Sequence, residues 1–486
     1  MMKKNHDTFV LLALGYLALP NLLFVALWIK PLIGIPVAAA LLWAIVSASK
    51  INRENESSET RFSYRQLSLI VGLAVLWTIL SGTGNVVPQS GDYIKHNALF
   101  HDLISKPWPL LYDQNSGASG SFLCYGVAYY LVPSGLAGWL GENWVNALSF
   151  LWAAVGLVLV CYWLALLNPK SPFRTVIVFL LFSTFGIAWY VAKRGHFEYF
   201  TQIGLEHSFL DHWAKLYFTP QHGISAWLGA ALIYRLGWEQ RRPASAFLAW
   251  TTLILWSPFV SVGLFPILLV TIFAAPPKTW FAWVPLTGGL LLMGVMAVYF
   301  EAHQHLEHQG AIWNFAMGHP WLPYYLLFIV LEVLIPAGCV LYFDYRHRVL
   351  DGWRPLFLCA TAVLLVFPLF KMGHESDLRL QGSGGLTAFL ALGFAACLCS
   401  PKFRIRSMEG MAVLLIFAVS AVYPLGRPIL NLKEPRVDYS FEATSKSTGM
   451  RDMSEIGKAE GGPGFDISQQ YLGRGDSIAY RSLLRR

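Results

Sequence analysis

The sequence predicts an all-α integral membrane protein, a polytopic bundle of about 13 transmembrane helices. Three observations predict it. Of 486 residues, 55% are hydrophobic and only 13% are charged, about half the charge of an ordinary soluble domain. Apolar runs of about 20 residues recur along the chain, each long enough to cross a hydrocarbon core as a helix. Lys and Arg collect in alternate connecting loops, which marks one side as cytoplasmic. A membrane β-barrel would need dyad alternation, and none runs through these segments. The formal net charge of +8 is then a topology signal and not a nucleic-acid footprint.

Lys3 and Lys4 precede a first span at about Thr8 to Ile29. The opening apolar run is too long for a signal peptide and lacks a small-residue cleavage site, so it reads as a retained span. A Lys30-Pro31 turn leads to a second span ending near Ala48. The next loop carries Lys50, Arg53, Arg61 and Arg65, which places it and the N-terminus in the cytoplasm. A third span, about Gln66 to Leu80, delivers an outer loop at about 87–142. Its apolar stretch from Ser121 to Leu140 holds Gly126, Pro133, Gly135 and Gly138. Were it to span, Lys170 and Arg174 would fall outside; read as re-entrant or interfacial, it keeps them cytoplasmic.

Further spans are expected at about 143–167, 174–192 and 222–238. The segment 246–275 is too long for one span and contains Pro258 and Pro266, so two short helices should meet near Ser257-Pro258. Such breaks are tolerated where they line a cavity. Spans at about 281–300, 323–342, 355–370, 385–400 and 409–425 complete a domain over 1–427. Residues 428–486 form a small polar tail outside, whose ending QQYLGRGDSIAYRSLLRR has aromatic and Leu anchors for docking on the outer loops. The six cysteines lie in apolar surroundings and read as small buried hydrophobes.

This topology gathers the polar groups on one face. Of 13 histidines, only His6 and His347 fall in predicted cytoplasmic segments. In GDYIKHNALFHDLISKPWPLLY, a helix from about Gly91 to Leu103 puts Asp92, Lys95, His96, Leu99 and Leu103 on one face, near His101 and Asp102. A carboxylate, an ammonium and an imidazole there suit proton transfer or phosphate binding, and a solvated interfacial face is the plainer reading. The second outer loop offers Glu206, His207, Asp211, His212 and His222; His222 begins a span, where it serves either as a cap or as a site residue. The third offers His303, His305, His308 and His319, with no spacing diagnostic of a metal. The fourth offers His374, Asp377 and Arg379. In an extended loop Asp377 and Arg379 point the same way, as a surface ion pair or with Arg379 on a phosphate. No phosphate-cradling Gly-rich loop is present, so an activated substrate would come from the membrane, as a lipid phosphate.

The layout resembles the GT-C superfamily of polytopic glycosyltransferases. GDYIKHNALFHDLISKPWPLLY is similar to the first outer loop of that family, which makes Asp92 the matching acid. GHESDLRLQGSGGLTAF is similar to a later outer-loop motif, which makes Asp377 and Arg379 the matching positions. The resemblance implies interfacial helices in the first outer loop and a polyprenyl-phosphate-linked sugar as donor. It implies inverting transfer to a glycan, lipid or protein acceptor at the extracytoplasmic face. Asp92 would be the general base, with Arg379 and Lys95 on the departing phosphate and His96 or His222 donating hydrogen bonds. Glu206, His207 and His374 are secondary candidates. No Asp-X-Asp or Asp-Glu pair stands at Asp92, so no metal site is assigned and the cofactor stays open. The rival is a transporter or flippase of a lipid-linked sugar or other amphiphile, without chemistry. The expected location is a bacterial inner membrane, N-terminus cytoplasmic and C-terminus extracytoplasmic; an endoplasmic reticulum membrane is the alternative. Cysteines placed at Ser57 and Ser447 should label from opposite sides of the membrane; labelling of both from one side would break the topology.

Overall fold

Helices begin where the sequence supplies caps. The Asp7 carboxylate accepts from the Val10 N–H at 3.1 Å and opens the helix Thr8–Leu27. Ser63 and Gln66 form a capping box at the head of Tyr64–Leu80. Proline occupies the first turn of the helices Pro31–Ser49, Pro172–Leu181, Pro220–Leu232, Pro243–Thr252 and Pro258–Ala274, where its missing N–H costs nothing. The computed structural model describes residues 7–50, 62–112, 120–184, 205, 209, 211–276, 279–303, 309–316, 318, 320–372, 376–433, 435–460 and 470–485.

Among these, six helices are long and apolar enough to cross a membrane: Thr8–Leu27, Pro31–Ser49, Glu142–Leu167, Trp283–Glu301, Trp321–His347 and Met408–Asn431. Five shorter apolar helices accompany them, at Tyr64–Leu80, Pro172–Leu181, Pro258–Ala274, Arg354–Leu369 and Gly384–Leu398. The chain is thus a mostly helical, multi-pass membrane protein. The second half of the span expected at 174–192 lies outside the described residues.

The expected break at Ser257-Pro258 is present. Pro243–Thr252 ends, a turn follows, and Ser257 caps Pro258–Ala274 by accepting from the Val260 N–H at 3.2 Å. Pro258–Ala274 also lies hard against the short helix Asp377–Gly382. A Cβ on Gly263 would sit 1.9 Å from the Gly382 carbonyl oxygen, so glycine is required there.

The stretch from Ser121 to Leu140 forms a short strand, Ser121–Leu123, and a 13-residue helix, Ala128–Leu140. At 1.5 Å per residue that helix is about 20 Å long, short of the hydrocarbon thickness. The loop after the Glu142–Leu167 helix accordingly falls with the other basic loops. Asn168 and Thr175 line a cavity with His347, Arg348 and Lys402. A chain of contacts ties these loops together at one end of the bundle. Arg235 pairs with Asp7 at 3.0 Å, Arg242 donates to the Lys50 carbonyl at 2.8 Å, Trp238 donates to the Gly352 carbonyl, and Lys402 donates to the His347 carbonyl at 2.9 Å.

The last long helix runs past the expected end at about 425, through Pro424 and Pro428 to Asn431. Pro424 has no N–H to offer the Ser420 carbonyl, and the Ser183 hydroxyl donates to that carbonyl instead at 2.5 Å. A second proline is accommodated in Trp321–His347, whose π-helical stretch Val330–Leu334 precedes Pro336.

The tail docks on the loops near Phe122 and His303 through its aromatic and Leu anchors. Leu472–Gly473 adds a third strand to the sheet Leu111–Tyr112, Ser121–Leu123, with Phe122 opposite Gly473. Farther on, the Arg485 N–H donates to the Trp28 carbonyl at 2.7 Å and the Lys30 N–H to the Leu483 carbonyl at 2.9 Å. The Arg474-Gly475-Asp476 tripeptide is engaged in the fold, with Arg474 paired to Glu301 at 3.0 Å. All six cysteines are free thiols.

Asp102 pins the tail from beneath. It is fully buried, and its carboxylate accepts from the Tyr112 hydroxyl at 2.8 Å and the Met453 N–H at 3.1 Å, with the Lys106 ammonium at 3.3 Å. Asp102→Ala leaves a buried hydroxyl and a buried N–H unmatched, at a cost of about 2 kcal/mol. Limited proteolysis of the full chain should then cut after residue 428 faster than in the wild type; unchanged cutting would mean that the strand and Trp28 contacts hold the tail alone.

Candidate functional site

The loop helix forms over Tyr93–Ser105 with Asp92 at its N-cap position. Its spacing delivers Asp92, Lys95, His96 and Leu99 to one wall of a cavity of about 780 Å³. His222, near the start of Pro220–Leu232, lines the same cavity, as does Asp377. Seven of the polar candidates read from the sequence therefore share one chamber: Asp92, Lys95, His96, Asp211, His222, His303 and Asp377.

Arg379 stands elsewhere. Residues Asp377–Gly382 are helical, not extended, so positions two apart diverge. Asp377 faces the cavity, whereas Arg379 is fully buried behind its wall with its guanidinium 5.3 Å from the Phe328 ring centre. Glu206, His207 and His374 lie outside the described residues, as do His305, His308 and His319. His303 lines the cavity and contacts the Gln470 carbonyl at 2.8 Å. His101 is outside the chamber, 2.9 Å from Glu142 and stacked on Phe441. His212 is buried and stacked on Phe179 at 4.1 Å.

His96 is held at both ring nitrogens. Nε2 lies 2.9 Å from the Phe218 carbonyl oxygen, which can only accept, so Nε2 carries the proton. Nδ1 then accepts from the Tyr130 hydroxyl at 2.5 Å. Burial holds this imidazole below its usual pKa, so the neutral form is the one bonded here. With no free nitrogen, His96 positions the loop helix and does not exchange protons with a ligand. His222 differs. It is 6% exposed, and its Nδ1 has no hydrogen-bond partner among the described residues. The Gln221 Oε1 beside it is likewise buried and unmatched among them.

The charges divide in an ordered way. The Lys95 ammonium lies 3.4 Å from the Asp92 carboxylate, and Arg427 adds a second cation to the lining. Asp211 caps the short helix His212–Phe218 by accepting from the Ala214 N–H at 2.8 Å, and burial pushes its carboxyl up to about 6. Tyr125, Tyr130, Tyr423 and Tyr471 bring phenol groups, and Gln221 and Gln381 bring amides. Leu99, Phe209, Phe218, Phe259 and Phe300 supply apolar wall. Sequence reading passed over Arg427, whose one signal is a lone cation near the C-terminal end of the last long helix. It also passed over the four tyrosines, which carry no signal distinguishing them from the other 17. Among the described residues no three His, Cys, Asp or Glu side chains gather closely enough to hold a metal.

No protein-family model, no curated protein and no solved structure matches this chain. The site is therefore argued from its own geometry. A partly polar, aromatic chamber with three carboxylates and two cations in its lining suits an amphiphile that carries both an anionic group and hydroxyls.

Lys215 sits behind this wall, fully buried and donating to the Leu380 carbonyl. Burial brings its ammonium down to about 7, with Asp211 opposing the shift and Arg379 adding to it. A folded-state pKa below the unfolded one makes the protonated lysine a cost. That cost is complete below about 7 and fades as pH rises towards the unfolded value of 10.5. Lys215→Met should therefore raise the melting temperature of the detergent-solubilised protein most at pH 7 and progressively less towards pH 10. A difference that stays constant, or grows with pH, would show that Lys215 is not strained by burial.

Proposed function

We propose that the chain is a membrane glycosyltransferase that moves a sugar from a polyprenyl-phosphate-linked donor to a hydroxyl-bearing glycan, lipid or protein acceptor. The observation that carries the reading is the meeting of Asp92, Lys95, His222 and Asp377 in one chamber, from segments more than 100 residues apart in sequence. In this reading the Asp92 carboxylate takes the proton of an acceptor hydroxyl. The freed oxygen bonds to the anomeric carbon as the bond from that carbon to the phosphate oxygen breaks, with inversion. The electron pair leaves on the lipid phosphate, whose charge Lys95 and Arg427 offset. Arg427 takes the part that sequence reasoning gave to Arg379, because Arg427 is in the lining and Arg379 is not. His222 and Gln221 have unmatched polar atoms for sugar hydroxyls. The finer topology belongs to the same proposal: about 13 spans, a GT-C-like architecture, and the chamber at the extracytoplasmic face of a bacterial inner membrane.

One observation favours the rival. Glu332 is buried within the long helix Trp321–His347, in its π-helical stretch, and an ionisable residue inside a span is a transporter's mark. The two readings part on one variant. In membranes holding the full chain and a panel of radiolabelled polyprenyl-phosphate sugars, Asp92→Asn should lower transfer by at least about 100-fold while expression and melting temperature hold. Full transfer by Asp92→Asn would remove the carboxylate from its role. No transfer by the wild type, with lipid-linked sugar still crossing in reconstituted vesicles, would establish the transporter.

A further inference from the structure

A second cavity, of about 400 Å³, opens at the opposite end of the bundle among the basic loops. Leu167, Leu392, Ala396 and Trp353 form an apolar wall, and Arg348 and Lys402 stand exposed at its mouth. The nearby carboxylates are already engaged. Asp344 accepts from Arg354 at 2.6 Å and from the Leu350 N–H at 2.7 Å, and Glu409 lies 3.1 Å from His347 Nε2. No hydrogen bond or ion pair engages the Arg348 guanidinium among the described residues.

The backbone gives an independent reason to single out Arg348. It ends the helix Ile335–His347 in the left-handed region, with φ at 52°. Glycine or asparagine ordinarily takes that position, and a long β-carbon-bearing side chain there costs stability. An arginine kept at such a position, aimed at a slot and unmatched in charge, fits a ligand that repays the cost.

We propose that this slot binds one anionic phospholipid, its phosphodiester between Arg348 and Lys402 and an acyl chain along Trp353, Leu392 and Ala396. Charge selects the headgroup, and the apolar wall selects a lipid over a free anion. The site is independent of the glycosyltransferase reading and does not depend on which side faces the cytoplasm.

Native mass spectrometry of the full chain in an uncharged detergent tests it, with dioleoylphosphatidylglycerol, dioleoylphosphatidylcholine and inorganic phosphate as probes. One phosphatidylglycerol should be retained in preference to phosphatidylcholine. Arg348→Gly should weaken it by about fivefold, with a melting temperature equal to or above that of the wild type, since glycine is at ease in this backbone conformation. Lys402→Gln should weaken it similarly, and Ala396→Leu should weaken it by filling the wall. Equal retention of the two lipids would overturn the proposal. So would phosphatidylglycerol affinity that survives Arg348→Gly, or displacement of the lipid by equimolar inorganic phosphate, which would make this a free-anion site.

Discussion

The bond pair on His96 sets the geometry of the large chamber. One imidazole joins the loop helix to Tyr130 on the Ala128–Leu140 helix and to the Phe218 carbonyl, three segments far apart in sequence. Because a carbonyl cannot donate, the tautomer is fixed, and with it the direction of the Tyr130 hydroxyl. Lys95 is the neighbour of His96 in the chain and Asp92, the N-cap of the same helix, lies one turn before it, so their orientation follows from this joint. A positively charged imidazole would lose the acceptor at Nδ1, and burial works against that form. His96, expected to donate a hydrogen bond to a ligand, thus has both ring nitrogens engaged within the fold.

The tail completes what His96 begins. A three-stranded sheet takes two strands from the segment after the loop helix and its last from near the C-terminus. The same segment brings Gln470 and Tyr471 into the chamber lining, and the next helix upstream brings Met453. Asp102 couples the two: its carboxylate faces the loop helix's own Lys106 and the Met453 backbone together. The chamber lining therefore joins the segment around Asp92 to residues close to the C-terminus.

Periodicity and charge made much of this legible. Of the helix face expected to hold Asp92, Lys95, His96, Leu99 and Leu103, the first four line the chamber, while Leu103 is buried away from the lining. The break at Ser257-Pro258 follows from proline alone. The stretch Ser121–Leu140, expected on loop charge to be re-entrant or interfacial, forms a short strand and a 13-residue helix. The failures have a common physical origin. Asp377–Gly382 is six residues, too short for a helical period to declare itself, so an extended reading paired two side chains that in fact diverge. Arg427 escaped notice because the last helix continues through two prolines, and the carbonyl freed by the first of them is met by the hydroxyl of Ser183, just past a helix distant in sequence. The role of His96 depends on atoms 34 and 122 residues away, which no spacing rule reaches.

A bilayer also explains why the polar groups are so unevenly divided. Hydrocarbon offers an ionised side chain nothing, so charges are kept where water or a partner is at hand. The large chamber takes carboxylates, phenols and amides largely from the loop elements, and takes apolar wall such as Phe259 and Phe300 from the helices below. Polar and apolar lining thus face one another across a single space. That polarity would hold for donor lipid or transported amphiphile alike, because it comes from where the loops meet the bundle and not from any one reaction.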